Sequence, residues 1–370
     1  MMLGLPLGPI LGGYLLQHFW WGSVFLINIP LVLVAALAAA ALVPESRGDV
    51  QPRVDAIGVV LSSGGLVGVT YGVIAAGEHH WTATSAVVPL AAGAAVLAGF
   101  VVWERRCTYP LVELGLFRSS RFAWGTSFVT LIGFSMFGLM FFLPLYFQAV
   151  QGSDTLGAGL KLLPMIAGVL VGTGVAGRIG PLVGVCAIPA AGFALIAGGL
   201  LIGATSTRTT GYGFTAGWLV LVGLGLGLAM TRTMTTALDA VPARQGGVGS
   251  ALVQTMRQVG GALGVALLGA LANSGYRHGL DVGSLPAAVA GAVRGSVAGG
   301  VVVAEKLHEP QLLEDVRAAF VHAMDTTLLV SGGVAALAAV LALAYPRLTA
   351  IYPGPAAPGS AQFPVTAGRR

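Results

Sequence analysis

Residues 85–103 read SAVVPLAAGAAVLAGFVVW, an apolar run that stops abruptly at Glu104, Arg105 and Arg106. A helix needs about 20 apolar residues to cross the hydrocarbon layer of a bilayer, and this run has that length. Its glycines and valines would make it a poor helix in water. In lipid the backbone finds no other hydrogen-bond partners, so the helix is imposed by the solvent rather than by propensity.

The same ruler finds nine further runs on either side of it: 3–17, 21–43, 56–76, 122–147, 156–176, 182–204, 213–238, 247–272 and 326–346. The sequence therefore predicts an all-α, polytopic membrane protein with about ten transmembrane helices. Composition agrees. Of 370 residues, 56% are hydrophobic and 9% charged, against roughly 25% charged in a soluble domain, and the mean hydropathy is +0.86. A soluble globule, a disordered chain and a disulfide scaffold are excluded on that ground. Glycine stands at 56 residues, about twice its usual ~7% share, as closely packed membrane helices require. The net charge of +5 does not point to a nucleic-acid partner, because most charges fall in short loops between apolar runs. Cys107 and Cys186 offer neither a disulfide framework nor a thiolate metal site. No His/Asp/Glu cluster has metal-ligand spacing and no nucleophile–base pair stands out, so an enzyme is not expected and no metal or cofactor is called for.

Basic residues set the orientation. Arg47, Arg53, Arg105, Arg106, Arg118, Arg121, Arg178, Arg244 and Arg347, with Arg369 and Arg370 of the tail, fall on one side. The opposite short loops hold Arg208, with Lys161 just inside a helix start. Both termini are expected in the cytoplasm and the protein in the cell membrane. Residues 307–324 read as an amphipathic helix opened by Pro310, with Leu312, Val316, Phe320 and Ala323 on one face, lying along the outer surface before the last span. Residues 347–370, rich in Pro, Gly and Ala, read as a disordered cytoplasmic tail.

Four features carry candidate function. The string GLPLGPILGG (4–13) places Gly4, Gly8 and Gly12 on one helix face, where a neighbour can approach to backbone contact. Pro9 bends the helix at that level, and Gly13 follows. Ser250, Gln254, Arg257, Gln258 and Gly261 form a polar stripe, with Arg257 near mid-depth. An arginine there costs at least about a few kcal/mol unless it meets partners or water. The stripe reads either as a cavity-lining or gating face or as an interhelical packing network. Arg232, with Thr235, Thr236 and Asp239, forms a similar stripe close to the cytoplasmic end, where it can snorkel. Phe134, Phe137, Phe141 and Phe142 with Tyr146 read as a pocket for aromatic or cationic compounds, or as core and lipid-facing rings. Gln148 is a weaker polar candidate. His79 and His80 sit in a short polar turn. Every Asp and Glu is expected in a loop or at a helix boundary, leaving no carboxylate in mid-membrane to carry a proton.

GLPLGPILGG resembles the antiporter motif on the fifth helix of major facilitator superfamily drug:proton antiporters. FWWGSVFLINIP (19–30) resembles the fifth-to-sixth helix junction of their fourteen-span branch. DAVPARQGGVGSALVQTMRQVGGALGVALLG (239–269) is similar to that branch's penultimate-helix signature. The resemblance implies a partial major facilitator fold whose ten spans correspond to helices five through fourteen. Residues 1–43 would close the N-terminal lobe, 44–121 would hold the extra central helix pair and its loops, and 122–346 would be the C-terminal lobe with an outer loop at 273–325. It implies an N-terminally truncated member, lacking the first four helices with their gating loop and the acidic residue of helix one. The second-lobe copy of that loop is reduced to Gly177-Arg178-Ile179-Gly180, which makes Arg178 a gating candidate. The implied function is secondary transport of small hydrophobic or cationic substrates across the lipid bilayer, driven by a proton gradient. The alternative is a non-transporting scaffold or partner subunit.

Overall fold

The computed structural model describes residues 4–42, 55–108, 110–179, 186–242, 246–282 and 285–351. Among the described residues every α-helix, 3-10 turn and π-turn is helical structure, and no strand occurs. In chain order the helices are α1 (Gly4–His18), α2 (Ser23–Leu26), α3 (Asn28–Leu42), α4 (Ala56–Glu78), α5 (Thr84–Glu104), α6 (Ser120–Leu145), α7 (Thr155–Leu160), α8 (Leu163–Ile179), α9 (Ala187–Gly203), α10 (Tyr212–Asp239), α11 (Gly246–Gly279), α12 (Ala287–Gly295), α13 (Val297–Leu307) and α14 (Pro310–Ile351). Among the described residues, eight stretches are long and apolar enough to cross a membrane, α2–α3 and α7–α8 each counting once. The predicted runs 182–204 and 3–17 appear as the shorter α9 and α1.

Helices α6 to α11 and α14 form one bundle. α8 and α9 flank α10, α6 and α14 flank α11, and α14 also lies along α9. Its centre is filled by Tyr146, Phe193, Ile196, Trp218 and Leu219. α4 and α5 make a hairpin that rests on α11 through α4. α1 meets the bundle at α7, and α3 buries none of its residues.

Helix ends follow local chemistry. Asp55 caps α4 by accepting from the Gly58 N–H at 2.9 Å, and Asp154 caps α7 through the Gly157 N–H at 2.8 Å. Such side-chain oxygens satisfy donors that the first helical turn leaves free. α6 leaves α-geometry one residue past Pro144, and Tyr146–Val150 form a π-turn.

The structure corrects the reading of the last span. Residues 307–324 are not a separate surface helix, because from Pro310 onward they run without interruption into α14. The buried stripe Leu312, Val316, Phe320, Ala323, Leu328, Ala335, Ala338 and Ala342 passes straight through the expected junction. Between Pro310 and Pro346 no proline intervenes to break it. α11 also continues to Gly279, past the expected end at 272, and its Gly275 and Gly279 face Ala323 and Ala319 of α14. α12 and α13 fold over this extension, with the Tyr276 hydroxyl donating to the Val293 carbonyl at 3.0 Å. The far end of the bundle, where α4, α6 and α11 finish, is thus a packed cap. Residues 352–370, most of the expected tail, lie outside the described residues.

Candidate functional site

The site is built on the crossing of α6 and α11. Glycines on both helices meet the partner's backbone: Gly133 meets the Arg257 carbonyl, Gly260 the Thr130 carbonyl and Gly264 the Phe134 carbonyl. Any Cβ at these positions would enter space the partner already fills, so the two axes approach as only small residues permit. This contact fixes the rotation of α11 and turns its next face toward α4.

Between α4, α6 and α11 lies a cavity of about 430 Å³ that is open on its outer side, where Ile74, Phe137 and Gln258 are exposed; its volume is within the range of small-molecule sites. Thr70 and Ile74 of α4, Phe137 of α6, and Gln258, Gly261 and Ala262 of α11 line it. The walls are largely apolar, with one amide and one hydroxyl as polar contributions. Gly261 makes the room: a Cβ there would come 2.5 Å from the Phe137 ring.

The predicted polar stripe is brought together only in part. Gln258 and Gly261 enter the cavity, and Gln254 is half-buried beside them. Arg257 is buried at 7% exposure, and its Nε has no hydrogen-bond partner. Ser250 turns back on its own helix and donates to the Gly247 carbonyl at 2.9 Å. Arg232 lies apart on α10, its carbonyl accepting from the Thr235 and Thr236 hydroxyls at 3.0 and 2.8 Å. Arg178 is exposed in the last turn of α8.

The aromatic pocket does not form as a unit. Phe137 enters the cavity and Phe141, one turn on, is 46% exposed. Phe134 is half-buried with its backbone against Gly264, while Tyr146 is fully buried in the bundle core. Tyr146 stays in α-register with Phe142, its N–H bonded to the Phe142 carbonyl, and both rings share the buried face while Phe137 and Phe141 turn outward.

The glycine string makes its one described close contact at Gly13. Among the described residues, nothing lies within 4 Å of a Cβ on Gly8 or Gly12. A Cβ on Gly13, off the face of those two, would lie 2.9 Å from the Leu156 Cα and the Thr155 carbonyl of α7. One turn on, the Gln17 amide donates to Asp154 Oδ2 at 2.7 Å. Gly4 and Pro9 belong to α1, and their side-chain surroundings lie outside the described residues.

One acid departs from the expected pattern. Asp325 sits fifteen residues into α14 rather than in a loop, with Oδ1 buried and unbonded. Gly332, two turns further on the same face, packs on Leu200 and Leu201 at the end of α9. Asp325 therefore stands at the far end of the bundle, not at its middle. Glu104, 3% exposed, closes α5 and accepts from the Val112 N–H at 3.1 Å.

Sequence reasoning missed Thr70 and Ile74. Neither carries a local signal, since only the docking of α4 on α11 brings them to Gln258. Lys161 was noted but not placed. It occupies the break between α7 and α8, donating to Gln151 Oε1 and Ser153 Oγ at 2.7 Å each, beside the rings of Phe147 and Tyr212.

Comparison with known proteins follows this geometry. The sequence profile described as Major Facilitator Superfamily matches residues 1–265. The tetracenomycin C resistance and export protein of Streptomyces glaucescens is 34% identical over 361 residues, which cover 91% of this chain and 65% of that protein. The multidrug efflux pump LfrA of Mycolicibacterium smegmatis is 32% identical over 356 residues, covering 93% of this chain and 69% of its own length. Among solved structures, a bacterial homolog to the human lysosomal transporter Spinster, inward-facing and unoccupied, aligns with a TM-score of 0.48 at 15% identity over 78% of this chain and 68% of that one.

Proposed function

Because the chain belongs to the Major Facilitator Superfamily, we propose that it supplies the substrate-binding helices of a secondary transporter resembling the proton-coupled multidrug efflux antiporters of the fourteen-span branch. On this reading α1–α3 close the first lobe, α4 and α5 are the central pair, and α6–α14 are the second lobe. The loops that hold Arg105, Arg106, Arg118 and Arg121 lie in the cytoplasm, and the α12–α13 cap lies outside. Contact of Gly13 and Gln17 with α7 is then a contact between the two lobes at the outer end.

The observation that carries the proposal is the cavity between α4, α6 and α11. It combines the size, apolar walls and sparse polar groups of a small-molecule site. The named relatives export or confer resistance to organic compounds, and the same class of cargo is proposed here. Photolabelling with a hydrophobic aryl azide, read out by peptide mass spectrometry, tests it. Adducts are expected on the peptides that hold residues 70–74, 137 and 258–262, and excess unlabelled compound should suppress them. Labelling spread along α3, without competition, would overturn the proposal.

A further inference from the structure

We infer that the α4–α6–α11 cavity selects its ligand by charge, taking flat aromatic compounds that are neutral or anionic and disfavouring lipophilic cations. This rests on the cavity being the substrate site, and adds which substrates it accepts.

The charge distribution of the three lining helices carries the inference. α6 and α11 contain no Asp or Glu along their whole lengths, and α4 contains only Glu78, its last residue. The basic residues of the same helices are Arg121, Arg257, Arg277 and His278. Arg257 immediately precedes Gln258 and is held inside the bundle by the backbone contact at Gly133. Arg257 does not itself line the cavity, and its Nε has no acceptor from the protein. Glu78 lies one turn beyond Ile74, is exposed, and has the Arg277 guanidinium bonded to its carbonyl. The one carboxylate on the three lining helices is therefore at the solvated end and already has a cation beside it, and Asp325 of the neighbouring α14 stands at the far end of the bundle.

In a site walled by apolar side chains and lipid, charges are screened far less than in water. A cationic ligand would find no counter-charge on the lining helices, while the Arg257 charge lies buried one residue outside the lining. A neutral ring pays no such penalty, and an anion gains from Arg257. The polar groups fit the same class. The Gln258 amide and Thr70 hydroxyl both donate and accept, which suits carbonyl and phenol oxygens at the rim of a ring. Phe137, partly exposed into the space, offers a face or edge for stacking.

Binding to the purified 370-residue chain in lipid nanodiscs tests this with three probes of one ring system. They are neutral N-phenyl-1-naphthylamine, anionic anilinonaphthalene sulfonate, and a trimethylammonium derivative of the same skeleton. The neutral and anionic probes are expected to bind at least about tenfold more tightly than the cation. Gln258→Glu should narrow or reverse that ratio. Thr70→Asp, on the opposite wall, should do the same and serves if Gln258→Glu fails to fold. Wild-type binding of all three with equal affinity, each displacing the others, would overturn the charge selection while leaving the site in place. If Gly261→Leu and Ala262→Leu bind all three like the wild type, the cavity holds lipid or protein instead, and the site itself fails.

Discussion

At the scale of single residues, glycine has two meanings in this protein, and the same substitution separates them. Gly133 faces the Arg257 carbonyl, whereas Gly99, in the α5 helix, has nothing within 4 Å. Gly133→Ala is expected to cost about 1–3 kcal/mol, because neither helix can yield without opening the α6–α11 contact. Gly99→Ala should be neutral or stabilising by up to about 1 kcal/mol, the helix-propensity gain. Thermal unfolding of the detergent-purified variants reads both, and equal shifts would contradict the packing described. His308 is the other position where backbone geometry decides. It ends α13 with φ of 53°, in the left-handed region that favours glycine. His308→Gly should stabilise the α13–α14 corner by about 0.5–1 kcal/mol, measured the same way.

At the scale of elements, the continuity of α14 is the feature that departs most from the sequence reading. Its two halves look different in sequence, one amphipathic and charged, the other uniformly apolar, because one packs under the cap and the other within the bundle. Hydrogen exchange is expected to show slow, unbroken protection across residues 316–330. A fast-exchanging hinge near 325 would restore the two-helix reading. Most spans were legible because each is a long apolar run between charges, but ten were expected and eight described stretches qualify, since 3–17 and 182–204 give only the shorter α1 and α9. The α6–α11 crossing was half legible: the polar stripe marked the right face of α11, but nothing local says that Gln258 faces a cavity while Ser250 bonds to its own turn. Tyr146 was misplaced because it shares the buried face of Phe142 rather than the outward face of Phe137 and Phe141, which aromatic spacing alone does not tell apart. Gly13 makes the described contact of its string because the approach of α1 to α7 is set at the far end, by Asp154 and Gln17. Thr70 was invisible, since its role arises only from how the central hairpin docks.

At the scale of the whole molecule, orientation and energy coupling remain as expectations that the native chain can test. Cys107 and Cys186 both fall on the side proposed to be cytoplasmic, at the ends of α5 and the start of α9. A membrane-impermeant maleimide should label them in inside-out vesicles and not in right-side-out ones, and the reverse pattern would invert the topology. Among the described residues no Asp or Glu stands in the middle of the bundle, and Asp325 lies at its far end. Vesicles carrying this chain alone are therefore expected to bind hydrophobic probes without extruding them when a pH gradient is imposed. The central claim, that ligand sits between α4, α6 and α11, is tested most directly by titrating N-phenyl-1-naphthylamine into wild-type protein and Gly261→Leu side by side. Saturable binding that falls about tenfold or more in the variant is the expected result. Identical isotherms from two equally folded proteins would contradict it.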